Sequence, residues 1–231
     1  PDYAAFWDNE WIARTKARVP NAIFQVDMQT LKAEKIFETD EWWIGHPNPN
    51  PVNPDLYMWC QEGAREHLES FERIRLLRLS DRTWLPVFSD DHPWRLKGDP
   101  IHRYQGTHEY WSPDGKRIYT HMPIYLDLIM YCDLESGEEF YFPSPQPDSY
   151  SIHTHIAPDG SFICGDGDYE NRTIYRYDLI KPCPSPHEMG DGPYKTITPL
   201  CSWGSALPGT ARPSESNARV TPDSNWVIFT S

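Results

Sequence analysis

A short phrase that returns three times constrains this chain more than any other feature. It reads Thr107-His108-Glu109-Tyr110-Trp111-Ser112-Pro113-Asp114-Gly115, then His153-Thr154-His155-Ile156-Ala157-Pro158-Asp159-Gly160, then Glu215-Ser216-Asn217-Ala218-Arg219-Val220-Thr221-Pro222-Asp223. A β-rich run follows each copy, at residues 117–120, 161–164 and 226–230. Proline fixes φ at the first turn position and glycine takes the left-handed one, so strand, Pro-Asp-Gly turn and strand make a hairpin. The third copy carries Ser224 where the others carry glycine. The turn aspartates stand 45 and 64 residues apart, too unevenly for a solenoid, and this spacing fits successive four-stranded blades of a β-propeller. Six positions before each aspartate stands a polar residue: His108, His153 or Asn217. On equivalent inner strands these three side chains are expected to converge near one channel.

Composition narrows the partners. The formal charge is −13, with 34 acidic against 21 basic residues, which argues against nucleic acid and against an anionic membrane surface. No run has the apolar length of a membrane span. An anionic ligand must therefore be small and held in a locally positive pocket. Ten Trp and thirteen Tyr supply apolar area for packing between blades. The five cysteines, Cys60, Cys132, Cys164, Cys183 and Cys201, are odd in number and scattered, and read as buried reduced thiols. That usage suits a cytoplasmic protein.

The expected fold is all-β, an incomplete β-propeller of about four blades out of seven, forming a single domain over residues 1–231 with the N-terminal blades absent from this chain. A hairpin is expected at residues 22–27 and 33–37, after an outer helical or irregular piece. Further strands are expected near residues 42–47, 56–60, 73–79, 117–121, 126–133, 138–142, 162–165 and 173–179. Residues 61–67, 89–105 and 182–193 read as loops.

The chain also carries, in order, Gly45-His46-Pro47, Cys60-Gln61-Glu62-Gly63, Arg73-Ile74, Thr107-His108-Glu109-Tyr110-Trp111, Pro113-Asp114-Gly115, Gly165-Asp166-Gly167, Cys201-Ser202-Trp203 and Thr221-Pro222-Asp223 with Phe229-Thr230-Ser231. This ordered set resembles the oligogalacturonate lyases, seven-bladed propellers that cleave small pectin oligomers by β-elimination with a bound manganese. The resemblance runs from about Ala22 to the end of the chain and implies a lyase acting on a small acidic oligosaccharide to leave a 4,5-unsaturated uronate.

Removing the proton beside a uronate carboxylate builds extra negative charge, so the reaction needs a base and a cation near that carboxylate. The resemblance implies that His108 is the base, that Arg73 is the cation and that His153 is the first metal ligand. His46, Arg212 and Glu109 are expected to contact substrate, with Glu109 also a candidate to orient His108. At the remaining ligand positions, where the family shows a Gln and two His, this chain offers Arg212, Glu215 and Asn217. Two outcomes stay open. Glu215 and Asn217, two residues apart and so on one face of a strand, complete a site for manganese or a similar divalent ion with His153. Alternatively Arg212 replaces the ion, because a guanidinium cannot ligate and neutralises a carboxylate itself; the Coulomb cost of an Arg beside a divalent ion favours this against strict metal dependence. Other readings of the same residues are a propeller that binds an acidic saccharide without catalysis and a propeller scaffold for a protein partner.

Overall fold

A computed structural model describes residues 13, 16–62, 73–88, 107–122, 128–144, 151, 153–167, 172–183, 192–203 and 217–229. Among these, residues 13 and 16 are helical, and sixteen strands follow: β1 (Asn21–Val26), β2 (Ala33–Thr39), β3 (Trp43–Pro49), β4 (Leu56–Glu62), β5 (Ile74–Arg78), β6 (Thr83–Pro86), β7 (Thr107–Trp111), β8 (Arg117–Met122), β9 (Leu128–Asp133), β10 (Glu139–Phe142), β11 (Thr154–Ile156), β12 (Ile163–Gly165), β13 (Thr173–Leu179), β14 (Lys195–Ser202), β15 (Arg219–Val220) and β16 (Val227–Ile228). None of the described residues forms a helix long and apolar enough to cross a membrane. The chain divides into two compact units, Pro1–Gln105 and Gly106–Ser231.

The first unit holds the β1–β2 hairpin and the sheet β3-β4-β5-β6. Its core is Ile23, Trp59 and Leu77, with Phe37 and Trp84 against the Trp59 ring. The second unit holds the sheets β7-β8-β9-β10 and β11-β12-β13-β14 and the β15–β16 hairpin. Each four-stranded sheet is an up-and-down antiparallel meander, the blade form expected from the repeat.

Successive residues of a strand face opposite sides, and the β11–β14 sheet is apolar on both. Ile163, Tyr175 and Tyr177 pack against Tyr110, Tyr119, Ile129 and Phe142 of the β7–β10 sheet. Their strand neighbours Cys164 and Ile174 turn the other way, to Trp203, Ala218 and the partly buried Val220 and Val227 of the β15–β16 hairpin. A sheet buried on both faces is what a blade between two others requires. It also explains why the middle strands read as continuous apolar runs.

The three repeated turns are built alike. A backbone hydrogen bond runs from the Gly115 N–H to the Ser112 carbonyl, from Gly160 to Ala157 and from Ser224 to Thr221, at 2.8–2.9 Å. Gly115, Gly160 and Ser224 all have left-handed φ, at 69°, 75° and 59°. The aspartate before each accepts the N–H two residues on, from Lys116, Ser161 or Asn225. Serine in the third copy has a compensating contact, since its hydroxyl accepts the Asp159 N–H of the neighbouring turn at 3.2 Å.

Some expectations are corrected. Cys60, Cys132, Cys164 and Cys183 are buried, but Cys201 is exposed on β14. Residues 61 and 62 belong to β4, not to a loop, and Gln61 is buried where it accepts a 3.0 Å hydrogen bond from Arg75 Nε. The outer strands β6 and β14 were not expected. Both are largely exposed edges without apolar alternation, and β14 carries Pro199, which an edge tolerates. The expected loops at residues 89–105 and 184–191 lie outside the described residues.

Two stability consequences follow from this architecture. A Cβ on Gly165 would fall against Ser151 Oγ and 2.6 Å from Tyr177 Cε2, and those two groups are hydrogen-bonded to each other at 2.7 Å. Gly165→Ala is expected to cost about 1–3 kcal/mol, the scale of overpacking a filled core, measured by denaturant unfolding. His155 on β11 is held below its ordinary pKa of 6.5 by burial first and by the Arg219 charge second. A His with a lowered folded pKa contributes stability above the unfolded value that is lost as pH falls through the folded one. Unfolding free energy is therefore expected to drop below about pH 6.5, and less steeply in His155→Gln, as read from unfolding curves across that window.

Candidate functional site

The turn at residues 158–160 fixes what stands at the far end of its hairpin. Counting outward, Ala157 meets Phe162, Ile156 meets Ile163, His155 meets Cys164 and Thr154 meets Gly165. The next pair is His153 and Asp166, joined by a hydrogen bond from the Asp166 N–H to the His153 carbonyl at 3.2 Å. The side chains then close on each other. His153 Nδ1 lies 2.7 Å from Asp166 Oδ2, and the His153 main-chain N–H donates to Oδ1 at 2.8 Å.

Asp166 is only 2 % exposed, so its charge needs donors on both oxygens. A third donor comes from the next repeat, the Asn217 main-chain N–H, 3.2 Å from Oδ2. The backbone of this segment is pinned as well. The Trp203 indole N–H donates to the Asp166 carbonyl at 2.7 Å, and the Gly167 N–H donates to Ser151 Oγ at 3.0 Å. Gly167 has φ 70°, a conformation that glycine adopts without strain.

His108, from the first copy, brings its ring edge-to-face with that of His153, at 4.4 Å between centroids and 71° between planes. It lies in β7 where the register against β8 shifts between Thr107 and Tyr110, with φ 55°. Asn217 has φ 46° and lies two residues ahead of β15. In the first unit His46 has the same conformation, φ 47°, inside the register shift between Gly45 and Asn48 of β3. Left-handed φ at a non-glycine residue costs roughly 1–2 kcal/mol, and such strain gathers at functional positions.

The structure thus joins His108, His153 and the Asn217 main chain, and adds Asp166. It corrects one premise about Asn217. The residue is not in a strand, so two-residue alternation does not set the direction of its exposed side chain. His155 makes its Nδ1 contact with the neighbouring Ile156 carbonyl at 3.0 Å. Glu109 is buried next to His108. Arg73 is buried in the first unit, and His46 is exposed there. Arg212 and Glu215 lie outside the described residues.

An ionised carboxylate only accepts, so a neutral His153 that carries its hydrogen on Nδ1 can donate to Asp166 and keep the lone pair on Nε2. An imidazole so fixed suits a ligand for a divalent ion or an acceptor for a proton. Asp166 was not among the expected site residues; the count outward from the Pro158-Asp159-Gly160 turn, which pairs it with His153, is the signal that points to it.

No protein-family model matches this sequence. An oligogalacturonide lyase of Pectobacterium atrosepticum is 23% identical over 217 residues, 90% of this chain and 52% of that protein. Among solved structures, an oligogalacturonate lyase in complex with manganese is 22% identical with a TM-score of 0.65, covering 91% of this chain and 50% of its own. An oligogalacturonate lyase from Vibrio parahaemolyticus is 20% identical with a TM-score of 0.69, covering 97% of this chain and 55% of its own. The structural likeness at these identities is one of fold, an incomplete β-propeller. The chain spans about half the length of these relatives, and over that length it is similar to the oligogalacturonate lyases.

Proposed function

We propose that this chain carries blades of a lyase that cleaves short uronate-containing oligosaccharides by β-elimination. The observation that supports this reading best is the contact of His108 with His153, two histidines from successive repeats, one of them held by a buried carboxylate. The sequence relative and the structural neighbours support the same reaction class.

In this reading His108 takes the C5 proton of the uronate. The C5–H electron pair forms the C4–C5 double bond, the C4–O bond breaks with its pair on the departing oxygen, and that oxygen takes a proton from water while His108 returns its own to solvent. A neutral imidazole beside another imidazole is a fitting base, since two adjacent rings resist carrying charge together. Arg73 is assigned to the uronate carboxylate, whose negative charge would otherwise oppose loss of the proton.

The donor chemistry of His153 fits a divalent cation such as manganese, because a neutral imidazole with its hydrogen on Nδ1 offers Nε2 as a ligand atom. His153, with Glu215 and Asn217, would hold that ion. When bound, it would neutralise charge growing on the carboxylate.

The test is turnover of short oligogalacturonates, followed by the ultraviolet absorbance of the unsaturated product. His108→Ala is expected to lower kcat by about two to four orders of magnitude with binding nearly intact. Arg73→Ala is expected to damage both KM and kcat, since its charge acts before and during the chemical step. Saccharide binding by the unaltered protein without any unsaturated product would replace the lyase by a binding module. Unchanged elimination in His108→Ala would remove His108 from the mechanism.

A further inference from the structure

We propose that Asp166 is a positioning residue: it fixes the tautomer of His153 so that Nε2 is the atom this histidine presents for function, and it does so jointly with the Asn217 main chain. The inference rests on the lyase reading for what Nε2 is used for, but its geometry is independent of that reading.

The carboxylate receives three donors and has no hydrogen of its own to give. His153 supplies two of them, its main-chain N–H and Nδ1, which locks the ring to its own backbone through one carboxylate. The third, from Asn217, ties the next repeat to the same group, at a residue with a left-handed φ of 46°. The third repeat therefore contributes a main-chain donor through the very residue whose side chain the resemblance offers as a ligand. Trp203 and Ser151 hold the segment around Asp166, so the carboxylate cannot follow a rotating ring. The carboxylate selects the form with the hydrogen on Nδ1, and an Nε2–H can neither ligate nor accept.

Long-range proton–nitrogen NMR spectra at neutral pH read the tautomer directly, with the His153 signals identified by their loss in His153→Gln. The unaltered protein is expected to carry the proton on Nδ1. Asp166→Ala and Asp166→Asn are expected to move population to the Nε2–H form while cooperative thermal unfolding is retained, and to lower kcat/KM by about 10–100-fold, the usual cost of removing such a partner. A His153 proton on Nε2 in the unaltered protein overturns the proposal, and that spectrum decides even if the variants do not fold. Folded variants with an unchanged tautomer overturn it as well, whatever happens to activity. Failure of the lyase reading looks different: the tautomer follows Asp166 as stated while the unaltered protein forms no unsaturated product.

Discussion

The buried carboxylate of Asp166 is the group on which the polar end of the second unit depends. A charge taken out of water is costly unless its oxygens are met by donors, and here donors from two successive repeats meet them. That requirement propagates outward. Gly165 must lack a side chain because Ser151 and Tyr177 fill the space, Gly167 must turn left-handed, and Trp203 must offer its indole N–H to the Asp166 carbonyl. The run Gly165-Asp166-Gly167 is thus one device, in which two glycines let the chain approach closely enough for the carboxylate to be buried and satisfied.

The two ends of each repeated hairpin have different tasks. At the turn end the three copies agree in hydrogen bond, left-handed residue and aspartate contact, and this end sets register. At the open end they diverge. His108 and Asn217 sit in left-handed conformations, His153 does not, and His153 meets a buried carboxylate across its own hairpin. A fixed turn with a variable far end lets side chains change at the site while the blades keep their pairing.

Much of the fold was legible in the chain. The Pro-Asp-Gly turns and the runs beside them specify hairpins, and apolar middle strands such as Ile163-Cys164-Gly165 announce sheets buried on both faces. The outermost strands β6 and β14 were hidden because an exposed edge has no packing partner to demand alternation. Of the site, the shared position of His108, His153 and Asn217 was legible from spacing, and Asp166 was within reach of the same count.

The sequence by itself determined the turns, and with them the register that sets each polar residue at the open end of its hairpin. That information is local, because proline, aspartate and glycine constrain only their own few torsions. Tertiary structure decided which atoms of those residues meet. The Asn217 main-chain N–H and His153 Nδ1 both reach one carboxylate, thirteen residues beyond His153 in the chain. Both follow from the need to satisfy a buried charge, and that need arises only once neighbouring blades have excluded water.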